Sequence, residues 1–286
     1  MRSTFEEKTY ESYFNNELNR HTEIYFPPGQ VQEGSLGFDC SAYSKSHRLW
    51  SKIGYPYFFK LPFYGCDLRD IADEMETYLR IQLNNIPKIR ANLLFQYKKP
   101  EYIMCTTGKE WDIWNQPYYR YDIYSEQQDL LMKIHSAFGH KVLVMYAAPA
   151  LHKVDDLVNA HVSSKIIDSS NFRKVEELNH HRNTYTKSGT YSIACSEIEK
   201  IKNFDLIELL ENDLTDSEYA SQANEEIIVE FINKIVYIVN KNIYFKDSFS
   251  KLNEHIGKVK SYELFYSILI MRNLKQLVGT QWFLKL

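Results

Sequence analysis

The sequence contains few cysteines, and they are not arranged as a disulfide framework or a paired metal site. The four cysteines among the 286 residues are widely spaced: Cys40, Cys66, Cys105 and Cys195. Such spacing is typical of reduced thiols in a cytoplasmic protein and not of a small secreted domain held together by disulfides. We therefore expect a cytoplasmic protein that is stabilised by an apolar core, for which a hydrophobic content of 44% is sufficient.

A strong charge of one sign and long apolar runs are also missing. The formal net charge is −3, so any nucleic-acid-binding surface would have to be local. The N-terminal residues contain no apolar signal core. The most apolar late stretch, residues 227–239, includes Glu230 and Lys234 and is too short to span a bilayer. We see no internal repeat, glycine-rich phosphate loop or low-complexity tract, and we expect no membrane partner.

Apolar periodicity predicts a chain of mixed helices and strands. Spacings of three and four predict helices over residues 4–20, 67–83, 125–138, 225–240 and 261–277. Alternating or continuous apolar runs predict strands near residues 91–99, 118–124 and 141–148. The strand, helix and strand over residues 118–148 predict one right-handed crossover unit. The fold class is therefore α/β, with a mixed central sheet flanked by helices and a mostly helical C-terminal part.

The strand near residues 91–99 changes character halfway along. The apolar run Leu93-Leu94-Phe95 is followed at once by polar residues, and Gln96 and Lys98 share one face because strand side chains alternate. Lys99 points to the opposite face. Burying an unpaired ammonium is costly, so this pair needs an explanation. Either the strand emerges into solvent at Gln96, or the two side chains belong to a metal and phosphate site.

Asp39 lies in a second short alternating segment, residues 36–43. Aspartate is disfavoured in strands, and no neighbouring residue gives it a local turn or cap to serve. Two interpretations are open. Either Asp39 bonds a neighbouring loop from the end of the strand, or it is a metal ligand held by a rigid backbone.

The order of these elements resembles that of a known family. An acidic first helix, a strand with Asp39, a strand with Gln96-Tyr97-Lys98, and then a strand, a helix and a buried strand are similar to the PD-(D/E)XK nuclease superfamily. The closer resemblance is to the branch whose third motif is Gln-X-Lys. The likeness covers residues 4–150. It requires an insertion at about residues 44–90, and Gln96 lacks the charge of the acidic ligand that is usual in the family.

The resemblance implies a restriction-endonuclease-like core and a set of site residues. Asp39 and Gln96 would bind Mg²⁺ (or Mn²⁺), a hard cation that prefers oxygen ligands. Lys98 would orient the attacking water and stabilise negative charge on the phosphate. The glutamate that the family carries on its first helix would be Glu11, by its spacing to the apolar stripe, and Glu33 is a rival for that role.

The implied function is a metal-dependent endonuclease that hydrolyses phosphodiester bonds, with DNA as the expected substrate, in a bacterial restriction or anti-phage defence system. Residues 1–200 would form the nuclease-like domain. Residues 201–286 would form a helical region for recognition, homodimerisation or docking to a defence-complex partner. The alternative is a catalytically inactive subunit of the same fold that binds nucleic acid or acts as a scaffold. A third possibility is an unrelated α/β protein with a chance Gln-X-Lys.

Overall fold

The computed structural model describes residues 1–22, 24–25, 68–178, 182–187, 189–195, 198–212 and 221–286. Two of the predicted site residues, Glu33 and Asp39, lie outside the described residues, and so does the part of the expected insertion over residues 44–67. The secondary structure below therefore refers to these ranges only.

All five helices predicted from apolar periodicity form, because burial of their apolar residues against the core stabilises them. The helices are α1 (Glu7–His21), α2 (Leu68–Asn85), α3 (Trp111–Trp114), α4 (Ser125–Phe138), α5 (Val154–Val162), α6 (Val175–Leu178), α7 (Leu206–Asn212), α8 (Asn224–Asn240), α9 (Lys246–Glu254) and α10 (Glu263–Val278). Two of them end on a glycine with positive φ, Gly139 after α4 and Gly279 after α10. Glycine adopts this backbone conformation without steric cost.

The strands form two five-stranded sheets. They are β1 (Ile24–Tyr25), β2 (Ala91–Tyr97), β3 (Glu101–Ile103), β4 (Tyr118–Tyr121), β5 (Val142–Pro149), β6 (Ser170–Lys174), β7 (Arg182–Tyr185), β8 (Tyr191–Cys195), β9 (Ile198–Lys202) and β10 (Thr280–Lys285). The first sheet has the order β1-β10-β2-β5-β6, in which β2 and β5 are parallel and the other pairs antiparallel. The second sheet is antiparallel, with the order β3-β4-β7-β8-β9. The prediction of a mixed α/β protein is confirmed.

Helices cover both faces of the first sheet. On one face, Leu93 and Phe95 of β2 join a cluster with the predicted stripe of α1, which consists of Tyr10, Phe14 and Leu18. On the other face, Leu94 joins a larger cluster with the apolar stripes of α8 and α10. Gln96 follows Leu94 on this second face, so its side chain enters a covered part of the sheet.

Two features differ from the sequence expectations. The predicted crossover unit is wrong, because β4 lies in the second sheet and β5 instead pairs in parallel with β2. The segment Thr280–Lys285, inside the region expected to be helical, forms the fully buried strand β10 between β1 and β2. Periodicity reports which faces are apolar, and it does not report which sheet a strand joins. None of the described helices has the length and apolar character needed to cross a membrane.

Candidate functional site

Lys98 lies just beyond β2, with its side chain buried. Its backbone N–H still donates to the carbonyl of Ala147 in β5, at 2.9 Å, so the sheet determines its position. Gln96 is 3% exposed and Lys98 is 6% exposed. The interpretation that the strand emerges into solvent at Gln96 is therefore wrong. The two polar side chains share a face, as alternation predicts, and both lie in the interior.

The Lys98 ammonium has polar and aromatic neighbours. Its Nζ donates to Oε1 of Gln127 on α4, at 2.9 Å. The same Nζ lies 5.1 Å from the ring centroid of Tyr124 and 5.5 Å from that of Tyr146. Aromatic faces attract cations at this range. These contacts hold the charge in place.

A cavity of about 260 Å³ opens beside Lys98, where the start of α1 meets the ends of β2 and β4. Charged side chains of both signs line it. The lining residues are Glu7, Lys98, Lys99, Glu101, Arg120, Tyr121, Asp122 and Tyr124. We refer to it as the lysine cavity. Arg120 is held at one wall by an ion pair with Glu101, with 2.7 Å between Nη2 and Oε2.

Burial shifts the pKa values of two facing groups in opposite directions. Desolvation lowers the pKa of Lys98 to about 8, although Glu7 and Asp122 favour its charged form. Desolvation raises the pKa of Glu7, and the charge of Lys98 opposes that shift. At neutral pH Lys98 is therefore mostly protonated, with its positive charge poorly hydrated. A group in this state attracts an anion strongly.

The first helix presents Glu7, and not the predicted Glu11, to the lysine cavity. Oε2 of Glu7 accepts the backbone N–H of Lys99, at 3.2 Å. Glu11 lies one turn further along and forms an ion pair with Lys275, with 2.7 Å between Oε1 and Nζ. Spacing to the apolar stripe pointed to Glu11 and missed Glu7, although Glu7 lies four residues before Glu11 and so shares its helix face. The contribution of Glu11 to catalysis stays a prediction.

Gln96 is fixed by the turn that joins α10 to β10. Its Oε1 accepts the hydroxyl of Thr280, at 2.9 Å, and Thr280 is its cross-strand neighbour in β10. A Cβ at Gly279 would lie 3.3 Å from Nε2 of Gln96, so glycine allows this close approach. An amide oxygen has two lone pairs, so the bond from Thr280 leaves it one further acceptor position.

The described residues do not by themselves form a metal site. Within the described ranges, no three or more His, Cys, Asp and Glu side chains converge in a way that could hold an ion. Glu7 lines the lysine cavity, whereas the Gln96 amide is buried against Thr280 and Gly279 and is not among the residues that line it. A carboxylate and an amide are donor types that Mg²⁺ accepts. The donor chemistry therefore fits a hard cation, and Asp39 would have to complete the set.

Comparison with known proteins gives no relative of this chain: no family model matches it, and neither a curated protein nor a solved structure matches it. Any functional assignment therefore depends on the chemistry of the lysine cavity and on the order of the motifs.

Proposed function

We propose that the chain is a metal-dependent endonuclease with a restriction-endonuclease-like core, which hydrolyses phosphodiester bonds in nucleic acid, with DNA as the expected substrate. A bacterial restriction or anti-phage defence system is the proposed setting. The observation that carries this proposal is the buried Lys98 ammonium, which follows Gln96 on the same strand face and lines a cavity together with Glu7.

The lysine cavity offers the charges that phosphodiester hydrolysis needs. The transition state accumulates negative charge on the phosphate oxygens, and a fixed cation in a poorly hydrated site stabilises that charge more than it would in water. Lys98 would supply this cation and orient the attacking water. Glu7 would accept a proton from that water or hold it by a hydrogen bond. Lys99 and Arg120 would contact the neighbouring phosphates.

Asp39 and Gln96 would hold Mg²⁺ or Mn²⁺, because a carboxylate and an amide oxygen are ligands that these ions accept. When bound, such an ion polarises a phosphoryl oxygen and lowers the pKa of coordinated water. Thr280 would orient the Gln96 side chain, since its hydroxyl donates to Oε1. Lys98 would still stabilise the negative charge that develops on the phosphate oxygens.

The test is cleavage of supercoiled plasmid, linear duplex and single-stranded substrates with Mg²⁺, Mn²⁺ or EDTA. We expect metal-dependent cutting that Lys98→Ala and Asp39→Ala each reduce by about 100-fold or more, the scale of removing one group that stabilises transition-state charge. Lys133→Ala, which removes an exposed lysine of α4, is the matched control and should leave cutting unchanged. Absence of metal-dependent cutting on every substrate would refute the proposal.

The same experiment ranks the glutamates of the first helix. Glu7→Gln should reduce cutting more than Glu11→Gln does, because Glu7 lines the lysine cavity and Glu11 is paired with Lys275. A larger effect of Glu11→Gln would restore the assignment made from spacing.

A second candidate is a catalytically inactive subunit of the same fold that binds nucleic acid or a protein partner. One observation favours it: Oε1 of Gln96 already accepts from Thr280, and Nζ of Lys98 already donates to Gln127, so both side chains have partners within the protein. This reading predicts binding without cleavage, unaffected by Lys98→Ala and Asp39→Ala. The helices α8, α9 and α10 would then carry a homodimer or defence-complex interface.

A further inference from the structure

A second cavity, of about 450 Å³, adjoins the lysine cavity. It lies between the start of α4, the end of α10 and the segment that precedes α9. Its lining is mostly apolar and aromatic: Tyr124, Glu126, Gln127, Tyr244, Phe245, Leu277 and Val278. We call it the tyrosine cavity. Its volume lies within the range of about 300–1,000 Å³ that is usual for small-molecule sites.

Two residues join the tyrosine cavity to the lysine cavity. Tyr124 lines both, and its ring centroid lies 5.1 Å from Nζ of Lys98. Gln127 forms part of the boundary, because its Oε1 accepts from Lys98 at 2.9 Å and its Nε2 donates to the carbonyl of Val278 at 2.6 Å. A ligand with one charged end and one flat apolar end could therefore occupy both cavities at once.

The tyrosines of this cavity are unusually exposed for aromatic side chains. Tyr124 is 69% exposed and Tyr244 is 51% exposed. Aromatic rings usually contribute to stability by burial, so exposed rings beside a cavity are available to a ligand. The two cavities also differ in charge. Of the described residues that line the tyrosine cavity, one is charged, Glu126, and none is a cation. The lysine cavity is lined by three cations and three carboxylates: Lys98, Lys99, Arg120, Glu7, Glu101 and Asp122.

From this division we infer that the tyrosine cavity is a stacking site for an unpaired nucleobase, next to the phosphate that Lys98 would bind. This inference rests on the proposed function. It adds that the substrate of the nuclease is a single-stranded or locally unpaired strand. A base inside a duplex has both faces covered by its neighbours, so it could not stack on Tyr124 or Tyr244 without leaving the helix. A neutral ring suits the tyrosine cavity, because no cation among its described lining residues could hold a phosphate against the repulsion of the Glu126 carboxylate.

The test is binding in EDTA, measured by fluorescence anisotropy with labelled oligothymidylate, oligouridylate and an abasic strand of equal length. Tyr124→Ala and Tyr244→Ala should each weaken binding of the base-containing strands by at least about fivefold, as expected when one stacking contact is lost. The abasic strand should bind all variants equally. The deoxy and ribo strands together show whether the sugar also contributes to recognition.

Two control variants separate stacking from folding and from general surface effects. Tyr124→Phe keeps the ring and should bind within about twofold of the wild type. Tyr237→Ala removes a ring of α8 that is 59% exposed and that does not belong to the lining of the tyrosine cavity, and it should also bind like the wild type. The inference is overturned if Tyr124→Ala and Tyr244→Ala bind oligothymidylate as the wild type does, if they weaken the abasic strand equally, or if the wild type binds no base-containing strand.

Failure of the inference and failure of the nuclease proposal give different results. If ring-dependent binding is observed but no substrate is cut with Mg²⁺ or Mn²⁺, the stacking site stands and the nuclease proposal falls. If cutting requires Lys98 but neither tyrosine changes base-dependent binding, the nuclease proposal stands and the stacking site falls.

Discussion

Lys98 is the residue at which the proposed function and stability conflict. Its pKa is about 8, against 10.5 in an exposed lysine, because burial disfavours the charge more than Glu7 and Asp122 favour it. Below about pH 8 the lysine is protonated in both the folded and the unfolded chain, so the cost of the buried charge is fully present. As the pH rises towards about 10.5, the folded protein loses this proton first and the cost disappears.

Replacing Lys98 with methionine should therefore stabilise the protein at neutral pH. We expect Lys98→Met to raise the free energy of unfolding by about 1–3 kcal/mol near pH 7, since one pKa unit corresponds to about 1.4 kcal/mol. This advantage should shrink steadily between about pH 8 and about pH 10. Urea denaturation at several pH values measures it, and Lys133→Met, at an exposed position of α4, serves as the control.

The opposite result would assign Lys98 a structural role. If Lys98→Met were less stable than the wild type at neutral pH, the attraction between Lys98 and Glu7 would outweigh the burial of the ammonium, and the pair would be structural. If Lys98→Met were instead more stable and no longer cut nucleic acid, Lys98 would serve the proposed activity at a cost in stability.

At the residue scale, the sequence predicted the relative orientation of Gln96 and Lys98 but not the residues that surround them. Gln96 and Lys98 share a face because strand alternation is strict over short distances. Glu7 was missed because helix periodicity orders side chains by their angle to the apolar stripe, and it does not tell which turn lies beside the end of β2. The tyrosine cavity could not be foreseen, because its walls come from segments far apart in the chain.

At the element scale, the packing of α2 against α10 depends on one buried carboxylate. Glu76 of α2 accepts the backbone N–H of Phe265, at 2.9 Å, and that of Leu264, at 3.4 Å. Both donors belong to the first turn of α10, where N–H groups lack helical partners and where the helix dipole favours a negative charge. Arg80 of α2 forms an ion pair with the same carboxylate, at 2.9 Å.

Glu76→Ala should consequently lower the free energy of unfolding by about 1–3 kcal/mol, the cost of leaving a buried donor unpaired. Urea denaturation measures the change. Asp73→Ala is the matched control, because Asp73 is an exposed acidic residue on the same helix and its loss should change stability by less than about 0.5 kcal/mol. Equal effects of the two variants would contradict the role of Glu76 at the start of α10.

The elements themselves were largely predictable, and their assembly was not. The stripes of α1, α4, α8 and α10 are long enough to be read from spacing alone, and each is buried as predicted. The strand β10 was missed because Thr280–Lys285 is short and follows a long helix, so no alternation extends far enough to identify it. The two-sheet arrangement depends on which strands pair, and pairing between distant segments leaves no local pattern.

At the scale of the whole molecule, one core joins both sheets. The larger cluster contains Leu94 of β2 and Trp282 of β10 in the first sheet, and Tyr121 of β4 and Tyr185 of β7 in the second. The lysine cavity lies at this junction, since its lining includes Lys98 and Lys99, which directly follow β2 of the first sheet, and residues of β3 and β4 in the second. Loss of the core should therefore also disrupt the proposed site.

Trp282 tests this dependence most directly. Its ring is fully buried, stacks at 5.8 Å on Phe231 of α8, and donates from Nε1 to Oδ1 of Asn92, at 2.9 Å. Trp282→Ala should lower the free energy of unfolding by about 3–5 kcal/mol, the range for truncating a large buried aromatic residue. Thermal unfolding followed by circular dichroism measures the loss.

Trp111→Ala is the control, because Trp111 is only partly buried and packs against a small separate cluster of the second sheet. It should cost less than half as much as Trp282→Ala. Because the larger cluster joins both sheets, the unfolding of Trp282→Ala should remain a single cooperative transition in which both sheets are lost together. Two separate transitions would instead mean that the second sheet is stable without the first, and a site built at their junction would then depend on how the two sheets dock.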